Sequence, residues 1–146
     1  MSSSMTTYPN PDLPVYILDS FAVLAYIKGD PSGRRVREVL TEAESGACRV
    51  MFPLINLGEV AYIVERRNGL VRTQEILALL NHEPIDFIEA DRTAILSAAH
   101  IKANHALSYA DAFVVTAAQT YSGTILTGDP EFQTLEELVQ VEWLPG

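Results

Sequence analysis

The chain alternates short apolar runs with longer amphipathic stretches. Val15-Tyr16-Ile17-Leu18 is a β-prone run ending at Asp19, after which Ser20 to Ile27 continues as a buried helix. Gly29-Asp30-Pro31 punctuates the pattern, and Arg34 to Glu44 then carries Val36, Val39, Leu40 and Ala43 at helical spacing among charges, as a surface helix does. Arg49 to Phe52 reads as a second strand. Pro53 suits the first turn of a helix running to about Arg67, which Asn68-Gly69 stops. Thr73 starts a further helix through Leu80, Pro84 breaks the pattern, and Ile85 to Ile88 reads as a third, weaker strand. Asp91 caps a helix running toward Asn104, and Ser108 caps another to roughly Gln119. Gly123 then turns the chain into a strand over Thr124 to Thr127, and Val141 to Leu144 is the last strand. This alternation predicts an α/β fold with a mainly parallel sheet of four or five strands and helices on both faces. In such folds, sites form beyond the carboxyl ends of the strands.

A length of 146 residues with 48% hydrophobic content suits one domain with a substantial core. Met1 to Pro14, polar and rich in Ser, Thr and Pro, reads as a flexible tail ahead of a domain over residues 15–146. It has neither the basic start nor the apolar stretch of a secretory signal, so the expectation is a cytoplasmic protein. Asp19, Lys28 and Glu59 interrupt the longest apolar candidates before they reach the roughly 20 residues that span a bilayer. Cys48 has no second cysteine to pair with, and no Cys/His cluster has zinc-ligand spacing. The net charge of −9 argues against broad electrostatic binding to nucleic acid. That objection weakens where carboxylates converge on a cation, since a bound metal reverses the local field seen by a phosphate. The same charge also suits a basic protein partner.

Four acids stand out by position. Asp19 directly follows the first strand. Asp129 lies two residues beyond the strand ending in Thr127, so parallel neighbours bring both acids to one edge of the sheet. Two adjacent carboxylates repel, and a hard divalent cation between them relieves that repulsion. Glu59 interrupts the apolar stretch Leu54 to Ala61, with Asn56 one turn earlier on the same face. Asp111 sits near the start of Tyr109 to Ala118, a stretch so apolar that the helix must be buried on most sides, and an ionised Asp there needs a cation, a positive partner or the helix N-terminus. Each acid also has a purely structural reading. Asp19 can cap the following helix, Asp111 can serve its own helix N-terminus, Asp129 can start a turn with Pro130, and Glu59 can snorkel or pair with Arg66. Glu131 is a further acid that turn placement and exposure explain equally well. His100 and His105 are five residues apart, a poor spacing for joint ligation on a helix, and no histidine is assigned a catalytic part.

Four segments, in order and spacing, resemble the PIN-domain ribonucleases, specifically the VapC-like toxin group: Ile17 to Tyr26, Asn56 to Val60, Leu107 to Phe113, and Leu126 to Phe132. The resemblance spans nearly everything after residue 14. It implies a PIN-like three-layer sandwich over residues 15–146, in which Asp19, Glu59, Asp111 and Asp129 hold one or two Mg²⁺ or Mn²⁺ ions and Ser20, Asn56 and Thr127 support them. Asn56 stands where many relatives have Thr or Ser. The implied activity is metal-dependent endoribonuclease hydrolysis that leaves 5′-phosphate and 3′-hydroxyl ends, with RNA as substrate. Implied partners are a cognate antitoxin, whose Arg-bearing segment would suit the acidic site, and a second copy in a homodimer. Two alternatives stay open: a non-catalytic PIN-like protein that binds a partner or RNA, and another Mg²⁺-dependent phosphohydrolase. A phosphatase of the Asp-x-Asp kind would need an acid where Phe21 stands.

Overall fold

The structure is a computed structural model and describes residues 12–145. Residues 1–11 of the expected tail lie outside the described residues. At Pro14 the chain is already joined to the sheet, its carbonyl accepting from the Arg49 N–H at 2.9 Å.

Among the described residues, five strands form one sheet in the order β3-β2-β1-β4-β5, every pair parallel. The strands are β1 (Val15–Leu18), β2 (Arg49–Pro53), β3 (Asp86–Ile88), β4 (Thr124–Thr127) and β5 (Gln140–Trp143). Side-chain alternation along the strands makes the two faces. Ile17, Met51 and Ile125 point into a core shared with Ala112, Val114, Val115 and Ala118, while Leu18, Val50, Phe52 and Leu126 point into a second core with Val23, Val36, Val39, Val60 and Ile76. Helices α5 (Arg92–Asn104) and α6 (Tyr109–Tyr121) cover the first face; α1 (Ser20–Lys28), α2 (Arg34–Glu44), α3 (Leu54–Asn68) and α4 (Leu70–Asn81) cover the second. The result is the three-layer α/β sandwich that the alternation predicts.

Strand order reverses at β1. From there the chain builds outward through β2 to β3, then returns to add β4 and β5 on the other side. The carboxyl ends of β1 and β4, paired from Tyr16↔Thr124 to Leu18↔Leu126, therefore lie side by side at a topological switch point, where loops diverge to opposite faces and leave a crevice.

Element boundaries follow the sequence closely, with three instructive differences. Pro53 ends β2 and serves as the N-cap position of α3 instead of opening the helix. Helix α4 starts at Leu70, not Thr73; the Thr73 hydroxyl donates back to the Gly69 carbonyl at 2.9 Å, within a first turn already formed. Two short 3-10 turns, Pro31–Gly33 and Pro130–Leu135, occupy stretches that periodicity left blank, each opened by a proline whose fixed φ suits the first turn. Gly33 is sterically fixed, because a Cβ there would lie 2.5 Å from the Ala25 carbonyl oxygen. Gly29 closes α1 with φ +72°, its N–H reaching the carbonyls of Ala25 and Tyr26, a left-handed cap that favours glycine. No helix among the described residues is long and apolar enough to cross a membrane.

Candidate functional site

Asp19 leaves the end of β1 and caps α1, its Oδ1 accepting from the Ala22 N–H at 2.8 Å. Its other oxygen accepts a short hydrogen bond from the Thr127 hydroxyl at the end of β4. Thr127, fully buried, also accepts from the Asp129 N–H at 2.9 Å, so one hydroxyl ties together the two acids that leave adjacent strands. Asp19 is 1% exposed, and burial, reinforced by the charge of Asp129, pushes its carboxyl up to about 7 against the pull of the Thr127 and Ala22 hydrogen bonds.

Asp111 enters from the opposite layer. Ser108 caps α6 by accepting from the Asp111 N–H at 3.1 Å, which places the Asp111 side chain in the first turn, 7% exposed. Burial comes first among the causes that raise its pKa. A hydrogen bond with Glu131 and the charges of Asp19, Asp129 and Glu131 push the same way. Asp129 caps the 3-10 turn that follows β4, its Oδ1 accepting from the Glu131 N–H at 2.9 Å. That turn is anchored in the core by Phe132 and Leu135, both fully buried. Glu131 is thereby held against α6, where its carboxylate also accepts from the Ser108 N–H at 3.1 Å.

Asp111, Asp129 and Glu131 each offer a carboxylate oxygen within 4.8 Å of the other two, and Asp19 adjoins them electrostatically. Of the four acids singled out from the sequence, Asp111 and Asp129 lie in this group, Asp19 adjoins it and Glu59 is not among its members; Glu131, read from the sequence as a turn residue, is the third member. Pro130 opens a 3-10 turn that brings Glu131, its first acid, back toward Asp129, which caps the turn. Glu59 stands further out. Its Oε1 accepts from the Ser20 hydroxyl at 2.5 Å, and it reaches the cluster through Ser20, next to Asp19. It does not pair with Arg66, whose guanidinium lies over the Tyr62 ring at 5.1 Å. Asn56 is fully buried and donates to the Ser20 hydroxyl at 3.4 Å, while its Oδ1 has no hydrogen-bond partner. The structural roles and the convergence hold together: Asp19 and Asp129 cap a helix and a turn, Asp111 sits in the first turn of α6, and the three are within electrostatic reach of one another.

Several acids forced together with no basic side chain among them suit a cation. All the donors are carboxylate oxygens, the ligand type of Mg²⁺, Mn²⁺ and Ca²⁺, and they lie near enough to one another for small side-chain shifts to bring them onto one ion. Burial first, and then the neighbouring carboxylates, raise the pKa values of Asp19 and Asp111; a positive charge beside them would favour their ionised forms.

A family model described as PIN domain matches residues 16–138. Comparison by sequence with curated proteins gives no match. Among solved structures, the fold is similar to a chain of VapBC2 from Rickettsia felis bound to a DNA fragment from its promoter (TM-score 0.70, 16% identity, covering 90% of this chain and 99% of that one). It is also similar to a chain of DNA-bound VapBC from Salmonella typhimurium (TM-score 0.68, 14% identity, 90% and 98% covered). A third similar structure is VapC20 from Mycobacterium tuberculosis, a Sarcin-Ricin loop cleaving toxin (TM-score 0.65, 17% identity, 82% and 94% covered).

Proposed function

Since this chain belongs to the PIN-domain family, we propose that it is a divalent-metal-dependent endoribonuclease and the toxin of a VapC-type toxin–antitoxin pair. The observation that carries the reading is the convergence of Asp19, Asp111, Asp129 and Glu131 at the switch point of the sheet. Asp111, Asp129 and Glu131 would hold Mg²⁺ or Mn²⁺, with Asp19 beside them and Glu59 behind Ser20. When bound, such an ion supplies a polarised phosphoryl oxygen and a more acidic water.

The chain's own residues then do the positioning. The hydroxyl of Thr127 and the N–H of Ala22 fix the Asp19 carboxylate in one orientation, and Ser20 does the same for Glu59 at Oε1. Phe132 and Leu135 lock the turn that presents Asp129 and Glu131. Because these groups are preset by capping and core packing, little reorganisation remains when a phosphodiester arrives, which is how electrostatic preorganisation lowers a barrier.

The solved relatives named as VapBC complexes make an antitoxin the partner to look for. A basic segment entering the acidic crevice would match a chain of net charge −9. We further propose a homodimer in the cytoplasm. The test is incubation of the purified protein with total RNA in Mg²⁺ or in EDTA, with the ends of the products mapped. Cleavage in Mg²⁺ that leaves 5′-phosphates, stops in EDTA and disappears in Asp19→Asn and Asp111→Asn supports the reading; cleavage indifferent to both the chelator and the substitutions overturns it.

A further inference from the structure

We infer that the Phe21 ring is the platform on which a substrate stacks an unpaired base next to the phosphate being cut; this rests on the nuclease reading above. Phe21 lies in the first turn of α1, two residues after Asp19, where its neighbours Ser20, Ala22 and Val23 are buried, yet it is itself 41% exposed. A large apolar ring left that open adds little to the core. Its position is nevertheless fixed from one side. A Cβ at Gly128 would fall 2.3 Å from Cε1, 2.6 Å from Cζ and 3.1 Å from Cδ1 of the ring, so the ring occupies the space that a side chain at residue 128 would fill. Gly128 joins Thr127, which holds Asp19, to Asp129. The ring is thus braced on the backbone link between two of the converging acids, and the residue keeps 41% of its surface exposed.

That placement answers a difficulty set by charge. With 10 Lys and Arg against 19 Asp and Glu, the chain has little phosphate-neutralising capacity with which to hold a nucleic acid. Stacking on an aromatic side chain needs no net charge and accepts any base, and it requires the base to be unpaired. A platform beside the acids would therefore supply affinity and place one phosphate over the cluster.

The test uses the full-length protein and a single-stranded oligoribonucleotide carrying 2-aminopurine at one position at a time. Binding is followed by fluorescence with Ca²⁺ in place of Mg²⁺, and cleavage kinetics are measured in Mg²⁺. Phe21→Trp should keep the wild-type KM and the quenching at one position. Phe21→Leu and Phe21→Ala should raise Kd and KM about five- to a hundred-and-fifty-fold, the range expected for one stacked base, measured at a temperature where circular dichroism shows each variant folded. A Phe21→Leu protein that binds and cleaves as wild type does, or the absence of quenching at every position, overturns the platform. Loss of antitoxin binding in Phe21→Leu with intact RNA kinetics also overturns it, by assigning the ring to a protein partner. If wild-type protein quenches one position but never cleaves, the platform stands and the nuclease reading falls.

Discussion

Replacing Asp111 by asparagine should make the metal-free protein more stable at alkaline pH while abolishing the proposed metal-dependent cleavage. The Asp111 carboxylate is 7% exposed and has an oxygen within 4.8 Å of oxygens from both Asp129 and Glu131. Two full charges at that separation, at an effective dielectric of about 20, repel by about 3 kcal/mol. Proton sharing with Glu131 and the solvent on Glu131's exposed side reduce this, so a gain of roughly 1–3 kcal/mol is expected at pH 8 in EDTA. At about 3 °C per kcal/mol for a chain of this size, the melting temperature rises by roughly 3–9 °C. The pH dependence has a definite direction. Carboxyls raised in the folded state, Asp19 to about 7 and Asp111 likewise upward, bind protons that the unfolded chain releases. The stability they contribute is complete below the ordinary carboxyl range and is lost as pH climbs through the raised values. The advantage of Asp111→Asn over wild type should therefore shrink toward pH 5. Adding Mg²⁺ should reverse the ranking, because a bound cation stabilises only the folded chain that can hold it. Thermal melts of both proteins at pH 5 and pH 8, with and without Mg²⁺, decide the matter. An Asp111→Asn protein that melts below wild type at pH 8 in EDTA would refute the claim that uncompensated charge dominates this cluster.

Two further outcomes follow from the same geometry. Thr127→Val keeps the shape but removes the hydroxyl that donates to Asp19 and accepts from the Asp129 N–H. It should cost about 1–3 kcal/mol through the unpaired groups left behind, and a carboxyl-resolved NMR titration of the metal-free protein should show Asp19 titrating at still higher pH, since that hydrogen bond lowers its pKa. Gly33→Ala forces a Cβ to 2.5 Å from the Ala25 carbonyl oxygen, a backbone atom that cannot step aside. A loss of about 1–3 kcal/mol in denaturant unfolding is expected, from overpacking rather than from any change at the acids.

The layers of the fold were legible because strand and helix periods differ and the strands are bounded by clear signals. Val15–Leu18 and Thr124–Thr127 end at acids or turns, and the structure keeps both spans unchanged. The 3-10 turn over Pro130–Leu135 was not legible, because its two anchors, Phe132 and Leu135, are spaced as readily in a loop as in a turn and only tertiary packing selects between them. The same gap hid Glu131, whose meaning depends on where that turn delivers it. Asp19, Asp111 and Asp129 were visible as acids in apolar settings, yet sequence alone left capping and convergence as rival explanations. The structure removes the rivalry: Asp19 and Asp129 accept from the N–H groups of Ala22 and Glu131 with one oxygen, while both stand within electrostatic reach of Asp111.

The switch-point topology carries a consequence for how the protein is made. Asp19 emerges from a ribosome early, but its strand acquires β4 as a neighbour, and its carboxylate acquires Thr127, only after more than a hundred further residues have been synthesised. Asp129 and Glu131 arrive later still. A nascent chain, or one truncated before Phe132 anchors that turn, contains no assembled cluster, so any cutting activity is withheld from the translating ribosome until the segment through Phe132 has emerged.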